Sequence, residues 1–420
     1  MQFEIRKNER SLFIYIFVFL WTGLASLYAA EPVNGFKLPV VLGIFGVTAF
    51  LVSHLLLVKW EIRGDMLLFP LTSMLNAAGL IIVLRLSPDF AVRQFIWLYV
   101  GLAAFLVTIR LLPDYRKLEE YKYLYIFAGL LLLLGTILFG VEAGGARSWI
   151  DLGFARFQPS EVVKIILVIF LASYLAEKKE ILTQGTRTFM SIPVPGLQYA
   201  GPLLVMWGFS LVLLIFQKDL GTALIFFGTF LAMIFIATGR WSYIVSGAGL
   251  FSLGAVLCYL FFSHVQVRVA TWLNPWTDID GKGYQIIQSL FAIGSGGAYG
   301  TGLGLGRPTL IPAVHTDFVF SAWSEETGLL GGLALLIIYC LIIYRGFRIA
   351  LNSRSDFGML LGSGLTSLLA IQTLVIAGGV IKLFPLTGVT LPFISYGGSS
   401  LVSSYILLGL LVKISAGDGT

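Results

Sequence analysis

An all-α polytopic membrane protein is the fold class that this sequence predicts, on three observations. Of 420 residues, 57% are hydrophobic and only 12% are charged, whereas soluble domains carry about 25% charged residues. Mean hydropathy is +0.90. The apolar residues gather in runs of roughly 20, the length a helix needs to cross a bilayer. A soluble globular protein, a disordered chain and a coiled coil are excluded. Aromatics at 14% and 47 glycines fit membrane helices, in which glycine is more frequent than in soluble ones. Cys258 and Cys340 both lie inside apolar runs, so neither a disulfide framework nor a cysteine metal cluster is available.

Twelve candidate spans follow in order, at about 11–30, 38–58, 66–84, 91–112, 122–141, 161–177, 199–216, 220–238, 241–262, 317–344, 357–381 and 393–414. The first run has no small-residue cleavage pattern, so it is expected to be retained as a span. With the N-terminus inside, the inner segments hold 17 of the 28 Lys and Arg and the outer ones hold 10. That bias places both termini in the cytoplasm. The net charge of +6 then reads as basic loops beside anionic membrane lipids, with no nucleic-acid partner. No linker, low-complexity tail or internal repeat divides the chain. Two outer stretches are too long and polar to span, 142–160 and 263–316. The second contains Trp272, Trp276, Tyr284 and many glycines, which predicts an ordered loop at the membrane surface.

Charges within or beside spans are costly and therefore informative. In GARSWIDLGFARFQPSEVVK, residues 145–164, Arg147, Trp149, Gln158, Ser160, Glu161 and Lys164 bracket the start of a span. Ser160 and Glu161 are expected to cap it, and Lys164 lies three positions after Glu161, on the same helix face. The segment is either a capped helix with an internal ion pair or a polar, cationic site for an anionic ligand. In QKDLGTAL, residues 217–224, Lys218 and Asp219 sit in a short turn that reads as a charged helical hairpin. In WLNPWTDIDGKGYQIIQS, residues 272–289, Asp278 and Asp280 stand two apart, and Gly281 and Gly283 permit tight turns. These carboxylates suit a general base, a divalent-cation site or a solvated loop. GSGGAYGTGLGLG, residues 294–306, lacks both the GxxxxGK[ST] pattern and a preceding strand, which argues against a nucleotide site.

His315, Asp317, Glu325 and Glu326 gather at the start of the tenth span, with no HExxH-type zinc spacing. The glutamates need a cationic partner, expected from Arg147, Lys164, Lys218 or Lys382. In PLTGVTLPFISYGGSSL, residues 385–401, Pro385 and Pro392 interrupt the helical pattern. Gly397, Gly398, Ser399 and Ser400 permit close helix packing there. With Ser395, this stretch is either a packing motif or part of a cavity lining. The residues alone leave a transporter and a membrane-surface transferase open.

GARSWI…FQPSEVVK, QKDLGTAL, the Asp278–Gln285 run, HTDF…SEETGLLGG and PLTGVTLPFISYGGSSL occur in this order. The sequence resembles the SEDS family (shape, elongation, division and sporulation) of RodA, FtsW and SpoVE proteins, over about 66–414. The resemblance implies a ten-span core, 61–420, with its catalytic outside loop at 263–316, preceded by a two-helix extension, 1–60. That extension, with RQFIW and LPDYRKLEEY, is most similar to RodA-like members of actinobacteria. It further implies a glycosyltransferase of the bacterial cytoplasmic membrane that polymerises lipid II onto a nascent glycan strand. The partner would be a class B penicillin-binding protein, and a divalent cation (Mg²⁺ or Mn²⁺) at Asp278 is one reading of its cofactor. Asp278 holds the family's essential aspartate position, and Gly281, Gly283, Tyr284 and Gln285 match the motif around it. Ile279 stands where the family usually has proline, and Asp280 is an additional acid. The missing proline is expected to loosen the turn. Glu161, Lys164, Asp219, Glu325 and Glu326 are expected to line a polar cavity, with Ser395 and Ser399 beside them. A lipid II flippase and a scaffold for the penicillin-binding protein are the rival readings.

Overall fold

The structure, a computed structural model, describes residues 2–30, 37–143, 146–153, 155–184, 187–189, 192–194, 208–212 and 215–417. Among them, 11 helices are long and apolar enough to cross a membrane. The spanning helices are α1 (Gln2–Ala30), α2 (Lys37–Lys59), α3 (Leu68–Leu86), α4 (Pro88–Leu111), α6 (Lys122–Phe139), α7 (Pro159–Gln184), α8 (Leu220–Thr238), α9 (Trp241–Phe261), α12 (Val319–Leu351), α13 (Asp356–Val380) and α14 (Gly398–Gly417). The shorter ones are α5 (Lys117–Glu120), α10 (Ser263–Leu273) and α11 (Tyr284–Gly296). The expected span at 199–216 lies outside the described residues, apart from helical pieces at 208–212 and 215–216. The chain is a multi-pass membrane protein. Helix α9 illustrates why: it is long and apolar enough to cross a membrane yet buries no residue in the protein, as suits a helix facing lipid.

The expected non-helical stretch at 142–160 is a small antiparallel meander, β1 (Val141–Ala143), β2 (Ala146–Asp151) and β3 (Arg156–Phe157). Val141 pairs with Trp149 and Asp151 with Arg156. A hairpin of β4 (Arg187–Phe189) and β5 (Ile192–Val194) follows α7. The 263–316 loop is ordered, and α10, α11 and two 3-10 turns occupy much of it.

Residue contacts divide the chain into two compact units. The first comprises Met1–Pro113, Thr271–Arg345 and Gln372–Thr420. Within it α14 packs on α4 and α3, α3 on α1 and α4, and α2 on α1 and α4. Gly398 packs so closely on Trp97 that a Cβ would collide with the indole, which is the close approach expected of small residues. The second unit comprises Asp114–Ala270 and Gly346–Ile371. In it α7 packs against α6 and α8, and α9 packs on α8.

Helix α12 is not the single rod expected for the tenth span. Gly328 breaks it with φ 72 and ψ −173. The amides of Thr301 and Gly302 donate to the Glu325 and Glu326 carbonyls at 2.9 and 3.0 Å, and the amides of Leu329 and Leu330 donate to Gly297 and Ala298. The glycine-rich segment therefore takes up the backbone groups that the break frees, as a buried polar backbone demands.

Candidate functional site

Asp278 ends a 3-10 turn, Pro275–Asp278, whose first residue is Pro275 and whose cap is the Asn274 side chain, accepting from the Trp276 amide at 3.3 Å. The Asp278 carbonyl accepts from the amides of Gly281 and Gly283, and its Oδ2 accepts from the Lys282 amide at 3.0 Å. A Cβ on Gly281 would collide with the Asp278 carboxylate, and one on Gly283 with the Pro275 carbonyl. The two glycines are therefore required by close approach. Ile279, in the family's proline position, has φ −64. This is the value a proline ring would impose.

Asp278 is exposed. Among the described residues its Oδ1 accepts no hydrogen bond. Tyr284 opens α11 directly behind this turn, and Gln285 anchors that end by donating from Nε2 to the Pro312 carbonyl at 2.8 Å. Further along α11, the Ser289 hydroxyl bonds Ser321 Oγ at 2.7 Å and the Val380 carbonyl at 3.0 Å.

The far end of α11 leads into the segment that fills the break in α12. Glu325 and Glu326 are buried there. Glu326 Oε1 accepts from Arg85 Nε at 3.0 Å, and its Oε2 accepts from the Gly304 amide at 3.0 Å. Arg85 also donates to the Gly306 carbonyl. Glu325 Oε1 accepts from the Arg307 amide at 2.7 Å. Among the described residues Glu326 takes Arg85, at the end of α3, in place of the expected Arg147, Lys164, Lys218 or Lys382, because the fold brings the ends of α3 and the broken α12 together, while Glu325 Oε2 accepts no hydrogen bond. The loop amides are committed to carbonyls and carboxylates, so this glycine-rich segment is built to meet its own chain's acids.

His315 stacks on Phe90 with ring centroids 4.2 Å apart, and its carbonyl accepts from the Tyr396 amide. Burial pushes its imidazole below the usual histidine value. Ser395 donates to the Thr316 carbonyl at 2.6 Å and accepts from the Leu391 amide. It therefore pins the proline-containing connection to the His315 segment. Ser399 is buried in the first turn of α14, and Asp317 is half-buried with Oδ2 toward Gly388.

The second unit carries the other group. Glu161 and Lys164 pair at 2.9 Å, and both side chains are only 3% exposed. Asp219 caps α8, accepting from the Thr222 amide and hydroxyl at 3.1 and 2.9 Å and from Gln158 Nε2 at 3.2 Å. Desolvation pushes the Asp219 carboxyl up, the Thr222 bonds oppose that shift, and nearby Glu161 adds to it. Gln158, Glu161, Lys164 and Asp219 thus form one cluster. Ser160 is no cap: its buried hydroxyl has no hydrogen-bond partner among the described residues, because the helix begins with Pro159 and the preceding Gln158 turns toward Asp219. Arg147 donates from Nε to the Gly140 carbonyl at 2.8 Å, Trp149 lies in β2, and Lys218 is exposed at a positive φ of 63.

Sequence reasoning missed Arg85, Gln94 and Gln217. Gln217 Nε2 donates to the Leu133 carbonyl and Thr136 hydroxyl, while its main-chain carbonyl accepts from the Arg147 amide. Gln94 Nε2 donates to the Ser395 carbonyl. The signal for Arg85 is in the sequence: an arginine closing an apolar run is a charge at a span, though in the orientation count it is one of ten outer cations.

Residues 66–418 match the cell cycle protein family of FtsW, RodA and SpoVE. The chain belongs to that family. Among its relatives is the peptidoglycan glycosyltransferase RodA of Mycobacterium tuberculosis, 41% identical over 89% of this chain and 83% of that protein. Stage V sporulation protein E of Bacillus subtilis is 35% identical over 84% of this chain and 96% of its own length. Two solved structures are also similar to this chain. A chain from a study of how a peptidoglycan synthase complex coordinates polymerization and crosslinking superposes with TM-score 0.70 at 31% identity. The crystal structure of Thermus thermophilus rod shape determining protein RodA gives 0.62 at 30%. Each match covers 86% of this chain and 99% of the solved chain.

Proposed function

We propose that this chain, a peptidoglycan glycosyltransferase like its named relatives, polymerises lipid II into glycan strands at the outer face of the bacterial cytoplasmic membrane. The strands would serve elongation and shape or division. The observation that carries the reading is the Asp278 turn: an exposed carboxylate, oriented through one oxygen by the Lys282 amide, with the other oxygen open.

The chemistry follows from that geometry. The GlcNAc 4-hydroxyl of one substrate is a weak nucleophile until a base takes its proton. Asp278 Oδ1 takes that proton as the 4-oxygen bonds to C1 of the second sugar. The bond from C1 to the pyrophosphate oxygen breaks, and the lipid pyrophosphate leaves with the electron pair. The charge on that leaving group needs a cationic partner. Both lipid tails stay in the bilayer, so the acid belongs on a loop between spans, where Asp278 lies.

No three His, Cys, Asp or Glu side chains converge among the described residues to cage a metal. The Asp278 carboxylate suits the other mode of Mg²⁺ or Mn²⁺ binding, one carboxylate shared with water and substrate phosphate. Bound there, the cation would supply charge neutralisation to the leaving pyrophosphate. The orientation assigned by the Lys and Arg bias, with both termini cytoplasmic, puts Asp278 on the outer face. A penicillin-binding protein of the transpeptidase class is the proposed partner, supported by the similarity to a chain studied for coordinated polymerization and crosslinking.

A lipid II flippase is the second reading, favoured by the broken α12, since interrupted helices frame transport sites. The test is polymerisation of labelled lipid II by the purified protein, alone and with its transpeptidase, with and without Mg²⁺. Glycan strands are expected. Folded protein that makes none, yet moves lipid II across liposomes, would replace the transferase with the flippase.

A further inference from the structure

The family's matched residues begin at 66, which leaves α1 and α2 without a role in the site described above. Helix α1 nevertheless reaches the segment that fills the break in α12. Phe13, Ile16, Leu20, Leu24 and Leu27 are all buried, at the three- and four-residue spacing of one helix face. Ile14 and Val18, on the opposite side, are 62% and 55% exposed.

The buried face meets three parts of one construction. Gly23 packs on Ile81 of α3, the helix that delivers Arg85 to Glu326. Phe19 packs on Trp323 with ring centroids 6.4 Å apart, and Trp323 Nε1 donates to the Gly331 carbonyl across the Gly328 break at 3.0 Å. The end of α1 closes over Gly304: a Cβ placed there would lie 2.6 Å from Ala30 Cβ and 3.7 Å from Leu27. Gly304 is thus held on one side by Glu326 and enclosed on the other by α1.

We propose that α1 is a brace that holds the glycine-rich segment 297–307 in the broken helix and, through α11, acts as a positioning element for Asp278. Segment 297–307 leaves one end of α11, and the Asp278 turn forms the other end. Loosening the segment frees α11 to shift and moves the carboxylate relative to the sugar hydroxyl. The proposal rests on Asp278 as the base.

The test compares full-length Leu27→Ala and Phe19→Ala with the wild type and with Ile14→Ala, a change on the exposed face of the same helix. Leu27→Met and Phe19→Leu, which keep most of the volume, serve if the truncations do not fold. Hydrogen–deuterium exchange at 297–307 is read beside kcat and KM for lipid II. The brace variants are expected to exchange faster at 297–307 and to lose about ten- to a hundredfold in kcat at unchanged KM. Ile14→Ala should match the wild type in both. Folded brace variants with unchanged exchange at 297–307 would overturn the brace. Faster exchange with unchanged kcat would overturn the positioning role. If the wild type makes no polymer, the polymerase reading fails, and the exchange readout still decides whether α1 braces the segment.

Discussion

Asp278 and Glu326 stand beyond opposite ends of one short helix and are held in opposite ways. Glu326 is buried, and both its oxygens are filled, by Arg85 and by the Gly304 amide. Asp278 is exposed, and a single backbone amide uses one of its oxygens. A buried carboxylate engaged at both oxygens is closed off from a substrate, so it organises structure. A carboxylate fixed through one oxygen and open at the other can take a proton. The difference separates an acid that builds the fold from one that works on a ligand, although both appear in the sequence as acids in glycine-rich surroundings.

The sharpest way to break this comparison is Asp278→Ala. Loss of a positioned base is expected to lower polymerisation by about 10²–10⁴-fold with little change in thermal midpoint, whereas Asp280→Ala should retain activity. Gel-resolved glycan products from both variants check it. Arg85→Ala should do the reverse first, costing about 3–5 kcal/mol of stability by leaving a buried carboxylate without its cation. The thermal midpoint reads that loss, and Arg85→Met combined with Glu326→Leu should cost less than either change alone.

The Glu161–Lys164 pair sharpens the contrast in the second unit. Lys164→Met alone should destabilise by a similar amount, and adding Glu161→Leu should recover most of it. A recovered fold without recovered polymerisation would place the pair in the substrate's path. The smallest effect belongs to His315. Its folded pKa lies below the usual 6.5, so the folded chain refuses a proton that the unfolded chain accepts. The stability is whole above 6.5 and is lost as pH falls from there through the lowered folded value. His315→Gln should flatten that acid-side decline in thermal midpoint, while the Phe90 and Tyr396 rings beside it stay unchanged.

These contrasts also mark what the sequence could reveal. The spans were legible because a 20-residue apolar run has few alternatives. The Glu161–Lys164 pair was legible because three residues along a helix bring side chains together. The Asp278 turn was legible through glycines that permit tight turns, but their close approach to Pro275 and Asp278 appears only in the structure. Arg85 and Glu326 are 241 residues apart, and no local spacing announces such a pair. The break at Gly328 was hidden because TGLLGG reads as ordinary small-residue helix packing until residues 297–302 are placed against it. The meander at 141–157 was hidden because its strands are too short for a period-two pattern.

The most direct test of the central claim is a paired measurement on Asp278→Asn and Glu326→Gln, reading glycan polymerisation and thermal midpoint on the same preparations. Asp278→Asn is predicted to keep the wild-type midpoint and lose polymerisation, and Glu326→Gln to lower the midpoint. Asp278→Asn that still polymerises at the wild-type rate would contradict the account.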